Sequence, residues 1–362
     1  MGNEHRIFIE RLLITAAFVL LLLVFWALRS LLILAFGAIV IAVLIRALAA
    51  PIRRVTGLGN RGSAFLAILV IAIVIWLTGW LFGRQIGNQF ERLGEAVPAA
   101  WTNLKTQIRT LPLGADLLRS LSRMSADNSN ILERLGSLLV LLSTVATNLV
   151  VVLFGAVFLA VQPGLYRNGL LMLIPKSRRE LGGQALDDSG RALKLWLVGQ
   201  VISMLIVGVL TGVGLWLAGV PSPLALGLLA GLADIVPYAG PVAAAVPGLL
   251  LALLQGPETA FWALVVYIIV QQIEGNLILP VVQRHMVTLP PALTIFSIIA
   301  AGLLFGVMGV IFAAPLLVVI YVLVKRLYVR EALHTDTTIP GEDDGAATLP
   351  RDQTEPSSPT RR

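Results

Sequence analysis

Apolar residues along this chain come in long blocks, not in the strict alternation of strands. Blocks of about 20 residues are long enough to cross a hydrocarbon layer as helices. They fall at roughly 8–28, 31–50, 63–83, 138–162, 195–218, 224–254, 259–280 and 292–327. The pattern predicts an all-α, polytopic helical membrane protein with about eight spans. The sixth and eighth blocks are too long for one simple crossing, and both contain helix breakers. Pro237, Gly240, Pro241 and Pro247 interrupt the sixth, and Gly302, Gly306, Gly309 and Pro315 the eighth. Each is therefore either a kinked helix or a hairpin that returns to the side it entered from.

Between the third and fourth blocks the period changes. Ile86, Phe90, Leu93, Val97, Trp101, Leu104, Ile108 and Leu111 repeat every three or four residues, the apolar stripe of an amphipathic helix close to a coiled-coil seam. Such an arm can lie on the bilayer surface, join subunits, or pack on its own bundle. The 170–196 stretch also reads as a helix, expected along the headgroups before span five. Residues 331–362 lack an aliphatic run and are rich in Thr, Pro, Asp and Glu, a composition that stays disordered. The chain thus divides into three N-terminal spans (1–83), an amphipathic arm (84–137), a core with broken helices (138–330) and a tail (331–362).

Composition narrows the class. Of 362 residues 57% are hydrophobic and 13% charged, with a mean hydropathy of +0.88. Soluble domains carry about 25% charged residues. The net charge is +7, but the basic residues sit between apolar blocks, where they would meet anionic headgroups and not nucleic acid. Arg53, Arg54 and Arg61, then Arg167 to Lys194, then Lys325, Arg326 and Arg330 mark three loops for one side. The positive-inside rule makes that side cytoplasmic and, in an eight-span count reversing at Arg29, puts both termini there. The seven Arg and Lys of 84–137 lie on the opposite side, in a loop long enough to escape the rule.

No cysteine is present and three histidines are scattered, so neither a thiolate nor a His-cluster metal site is expected, and no cofactor. None of the four lysines follows a glycine, which removes the P-loop and an encoded ATPase. No pattern calls for an enzyme.

The candidate chemistry lies inside the spans. Of 20 acidic residues, Asp234 and Glu274 alone sit well within apolar blocks, where a carboxylate costs about 2.5–3.5 kcal/mol. Both adjoin breakers, Asp234 before Pro237, Gly240 and Pro241, and Glu274 before Gly275 and Pro280. An ionisable group beside an interrupted helix is the arrangement of transporter binding sites. Gln271 and Glu274 share a face at i,i+3, Gln272 and Asn276 an adjoining one at i,i+4, and Pro280 should open the helix after Glu274 by releasing the Asn276 carbonyl. Asp234 and Tyr238, also i,i+4, are placed to share a hydrogen bond. Gln200, Ser203, Thr144, Thr147 and Asn148 read as interhelical hydrogen bonding, and Gly208, Gly212 and Gly214 as close helix approach.

QQIEGNLILP (271–280), VTLPP, GLLFGVMGVIFAAPL, DIVPYAGP, IPKSRRE and LVGQ together resemble the signature of the autoinducer-2 exporter (AI-2E) family, PerM-like permeases of bacterial membranes. The match covers about 160–327; upstream, only hydropathy and spacing agree. Val161-Gln162-Pro163 stands where family members usually carry an acidic residue. The resemblance implies an inner-membrane permease energised without ATP and assembled as a homo-oligomer. Its cargo would be a small molecule or cation: members are described as exporters of the furanosyl signal autoinducer-2 or as sodium(lithium)/proton antiporters. Asp234 and Glu274 would then serve proton, cation or substrate, with Gln271, Gln272, Asn276 and Tyr238 hydrogen bonding. Gly306, Gly309 and Pro315 would join the other breakers as hinges. A reading of another class is a non-transporting scaffold or a passive pore.

Overall fold

The computed structural model describes residues 2–59, 62–73, 76, 80, 131–278, 280, 289–335 and 337–338. Every described element is helical. In chain order they are α1 (Gly2–Ala27), α2 (Arg29–Thr56), α3 (Gly62–Ile73), α4 (Ile131–Val161), α5 (Pro163–Met172), α6 (Arg179–Leu217), α7 (Pro223–Ala233), α8 (Ala239–Gln255), α9 (Pro257–Ile273) and α10 (Pro291–Leu323). The chain is a polytopic helical membrane protein: five of its described helical runs are long and apolar enough to cross a bilayer. Large apolar side chains such as Phe154, Trp216 and Phe296 lie open on the outside, where lipid replaces water. The amphipathic arm up to residue 130, the 281–288 loop and most of the tail lie outside the described residues. The fourth span's helix begins at Ile131, inside the stretch assigned to the arm.

Three features differ from the pattern's simplest reading. The first is the junction of α1 and α2. Leu28 keeps a near-helical conformation (φ −90°, ψ 2°), and hydrogen bonds run through it from Leu28 to Val24 and from Leu32 to Leu28. The chain kinks there without reversing, so no turn forms at Arg29 and the N-terminus is not returned by it to the side of the basic loops. The second is the headgroup helix. The 170–196 stretch is not one separate helix: α5 ends at Met172, and α6 runs unbroken for 39 residues from the basic segment into the apolar block, because no proline interrupts it.

The third concerns the two long blocks, both of which are hairpins. α7 has 11 residues, about 16 Å of rise, and cannot cross. It ends at a turn over Asp234–Tyr238, and α8 returns beside it. A Cβ on Gly240 would fall 1.8 Å from the Ala233 carbonyl oxygen, so only glycine permits that fold-back. Pro241 sits in the first turn of α8, where its missing N–H is not needed. Within α10, Gly306 (φ 66°, ψ −149°) leaves the helical region. A Cβ on Gly309 would lie 2.0 Å from the Ala301 oxygen, an approach that eight residues of straight helix, about 12 Å long, would forbid. Gly306 makes the bend, and Gly309 lets the two arms touch.

The second arm of α10 is the centre of the bundle. Met308, Phe312, Val318 and Val322 pack with Ile33 and Val40 of α2, Val152 of α4, and Leu193 and Trp196 of α6. Phe312 lies against Gly37, whose Cβ would meet the ring at 2.5 Å. At the basic end Asp188 is buried and accepts from Arg191 at 2.6 Å, and it pairs with Arg326 at 3.6 Å. Arg326 also donates to Gln184. The C-terminal flank is thereby tied to the basic end of α6, which supports the expectation that these basic segments share a side.

Candidate functional site

The site is built on a backbone contact between two antiparallel helices. A Cβ on Gly227 of α7 would lie 2.6 Å from the Gly208 oxygen and 2.7 Å from the Gly212 Cα of α6; one on Gly231 would lie 2.5 Å from the Met204 oxygen. The contact climbs α7 as it descends α6, from Gly212 through Gly208 to Met204. Continued one turn further, it brings Asp234 level with Ser203 and Gln200. The third glycine of the run, Gly214, turns to α9, where its Cβ would meet Val266 at 2.5 Å.

Asp234 caps the C-terminus of α7 and is fully buried. Gln200 Nε2 donates to its backbone oxygen at 2.6 Å and to its carboxyl Oδ2 at 3.3 Å. Oδ1 is buried with no donor among the described residues. The Ser203 hydroxyl and the Glu274 carboxyl lie beside it. Gln200 thus makes the helix-to-helix hydrogen bond that its sequence pattern suggested, and its partner is the candidate Asp234, with Ser203 beside it. The 34-residue separation of Gln200 and Asp234 carried no local signal.

Glu274 comes from the other side, at the end of α9. The helix does not unwind after it. Residues Glu274–Ile278 form a π-helical turn, a widened turn that shifts the backbone hydrogen bonds by one residue, as at many functional sites. Glu274 is buried within it, and Gln271 Nε2 donates to its Oε2 at 3.2 Å. The inner face of α9 continues upward through Val270 and the buried hydroxyl of Tyr267, which has no partner among the described residues. Tyr267, two turns before Glu274, was not singled out by the sequence pattern. Gly248 of α8 faces that hydroxyl, and a Cβ there would lie 2.0 Å from it.

The remaining sequence candidates do not reach this cluster. Gln272 and Asn276 bond each other at 2.8 Å on an exposed face. Tyr238 does not share a helix with Asp234, because α7 ends at Ala233. It stands at φ 66°, ψ −47°, 40% exposed, and makes no hydrogen bond to Asp234. A bulky residue in that region is strained, and the strain lies in the turn that carries Asp234. Thr144 and Thr147 bond to carbonyls of their own helix.

Two carboxyl groups from separate elements therefore face one another at membrane depth. Neither offers a donor when ionised, so a direct hydrogen bond between them requires a proton on one of the two. Around them stand two amides and a hydroxyl. The polar groups here are carboxyls, amide donors and a hydroxyl, and among the described residues no group of three or more His, Cys or acidic residues gathers to hold a metal. Along α6 the pair lies about 9 Å in from Lys194, and about 25 Å separates Gln200 from Leu217.

In a polytopic helical membrane protein, buried carboxyls beside broken elements are the arrangement expected of transporter binding sites. The chain is a member of the AI-2E transporter family: the model described as "AI-2E family transporter" matches residues 15–328. It is 34% identical over 151 residues to "Putative transport protein YrrI" of Bacillus subtilis, covering 42% of this chain and 43% of that protein. With "Putative permease PerM" of Escherichia coli K12 it shares 27% identity over 257 residues, 70% of this chain and 72% of that one. The aligned region spans less than half the length of YrrI and of its Bacillus subtilis relative YueF.

Proposed function

We propose that the protein is a secondary transporter that exports a small polar solute, with Asp234 and Glu274 as the groups that take up and release a proton or cation during the cycle. The observation that carries this reading is the meeting of the two carboxyls beside the Tyr238 turn and the Glu274–Ile278 π turn. Burying two carboxyls costs several kcal/mol, and packing alone does not require it. Broken elements can rearrange around such a pair without rupturing whole helices. Gln200, Ser203 and Gln271 complete the site; Pro237, Gly240, Pro241, Gly306 and Gly309 shape the hairpins that move. Gln272, Asn276 and Tyr238 act, in this reading, on the second face and the turn.

Family membership makes autoinducer-2, the furanosyl signal, the first cargo to test. A second reading is sodium(lithium)/proton antiport. It is favoured by the two carboxyl groups, since carboxylate oxygens suit hard cations. In this reading the end of the bundle that carries the three basic segments faces the cytoplasm of a bacterial inner membrane, which the positive-inside rule supports, and the protein works as a homo-oligomer, as the family resemblance implies.

The test is a flux panel in proteoliposomes of the full chain. Autoinducer-2, sodium and lithium are each followed with and without an opposing proton gradient. Export coupling predicts gradient-dependent movement of the furanosyl signal. Antiport predicts sodium or lithium movement that collapses the proton gradient. Equal flux with and without a gradient would instead make the protein a passive pore, and absence of flux for every cargo would leave a scaffold.

A further inference from the structure

We propose that a basic cavity at the cytoplasmic end, separate from the carboxylate pair, is a binding site for the phosphate headgroup of an anionic lipid. The cavity, about 820 Å³, lies among α2, α3, α5 and α6 at the end of α4. Four cations line it: Arg46 and Arg53 from one face of α2, and Arg191 and Lys194 from α6. One carboxylate also lines it, Asp187, but both its oxygens are taken by Arg167 at 2.9 and 2.6 Å. Arg191 is held by Asp188. Arg46 and Lys194 have no ion-pair or hydrogen-bond partner among the described residues. The cavity therefore presents two uncompensated positive charges from opposite walls, and an anion between them would neutralise both.

Depth and wall chemistry favour a lipid over a free anion. Arg46 lies two turns inside the Arg53–Arg54 pair that ends α2, about 10 Å deeper. A guanidinium at that level either snorkels outward or finds an anion. Val43, Ala160 and Val161 give the cavity apolar lining, and Val161 is 39% exposed. Apolar lining beside the charges suits acyl chains, as a free anion would not require. Ala49, Ala50 and Gly190 supply the room, since longer side chains there would fill it. The shape fits basic pockets between membrane helices that take anionic headgroups.

Native mass spectrometry of the intact protein tests this, with phosphatidylglycerol, phosphatidylcholine and inorganic phosphate as separate probes. Wild type should retain phosphatidylglycerol over phosphatidylcholine. Arg46→Gln with Lys194→Gln should weaken that retention about thirtyfold. Arg54→Gln, an equal loss of charge outside the cavity, should change it less than threefold. Arg46→Lys keeps the charge and should retain most binding, which separates loss of the site from loss of the fold. Equal retention by the double variant and wild type would overturn the proposal. So would displacement of the lipid by millimolar inorganic phosphate, which would make the site one for a soluble anion.

Discussion

Replacing Gly227 by alanine perturbs the site without touching any of its polar groups. The new Cβ would stand 2.6 Å from the Gly208 oxygen, 2.7 Å from the Gly212 Cα and 2.8 Å from the Gly212 nitrogen. All three are backbone atoms, so no side chain can turn aside. Ordinary contact begins near 3.4 Å, and 3.4 minus 2.6 leaves 0.8 Å by which α7 must withdraw from α6. That displacement is transmitted to Asp234, the residue that closes α7. The Gln200 bond to its Oδ2, at 3.3 Å, would lengthen to about 4 Å, beyond hydrogen-bond range. Overpacking costs about 1–3 kcal/mol and loss of a bond to a buried carboxyl about 1.5–3, while the helix gains about 1 from the better former. The balance is a destabilisation of about 1.5–5 kcal/mol together with loss of flux. The assay is thermal unfolding in detergent, followed by size exclusion, with flux measured on the surviving protein. Gly169→Ala, where nothing lies within 4 Å, is the control and should be neutral or slightly stabilising. If Gly227→Ala melts with that control and transports normally, the glycine contact does not hold the site.

Other outcomes follow from the same geometry. Gly306→Ala puts a side chain at φ 66°, ψ −149°, a region open almost only to glycine, and should lower stability by about 1–3 kcal/mol in the same melt; an unchanged melting point would show that the hairpin bends elsewhere. Asp188→Asn leaves Arg326 and Arg191 without their buried carboxylate and should cost about 3 kcal/mol. Arg167→Ala removes a pair whose side chains are 42% and 53% exposed and should cost under about 1 kcal/mol, less still at high salt; the reverse order in a denaturation series would invert the assignment. Gln200→Ala should abolish most flux and Gln272→Ala should retain it, because the first holds Asp234 and the second bonds only to exposed Asn276; equal losses would return both to a structural role.

Much of this arrangement was written locally in the chain. Asp234 and Glu274 announced themselves by charge within apolar blocks, and their neighbouring breakers marked where helices would fail. Gly208 and Gly212 signalled a close helix contact. What they touch, Gly227 and Gly231, was not legible, because a glycine in an apolar run carries no mark of its partner. Gln200 was visible as a polar residue but not as the donor to Asp234, since the pairing depends on how the α7–α8 hairpin docks on α6. The breakers did not distinguish a kink from a hairpin: the difference at Gly306 lies in its ψ, not in residue type. Two inferences failed in opposite directions. The Asp234–Tyr238 spacing assumed one helix where α7 ends at Ala233, and the eight-span count assumed a reversal at Arg29. Leu28 instead carries the helix past it. The π turn after Glu274 shows a third outcome, in which a strained helix widens and keeps its course.

The most direct measurement of the carboxylate pair is cargo flux by Glu274→Gln beside wild type, at matched insertion and assembly in proteoliposomes. The substitution keeps shape and the capacity to hydrogen-bond with Gln271, and removes only the ability to bind and release a proton or balance a cation. Gradient-driven flux should fall to the level of empty liposomes while the folded protein persists. Wild-type flux with unchanged gradient dependence would contradict the assignment of Asp234 and Glu274 as the coupling site.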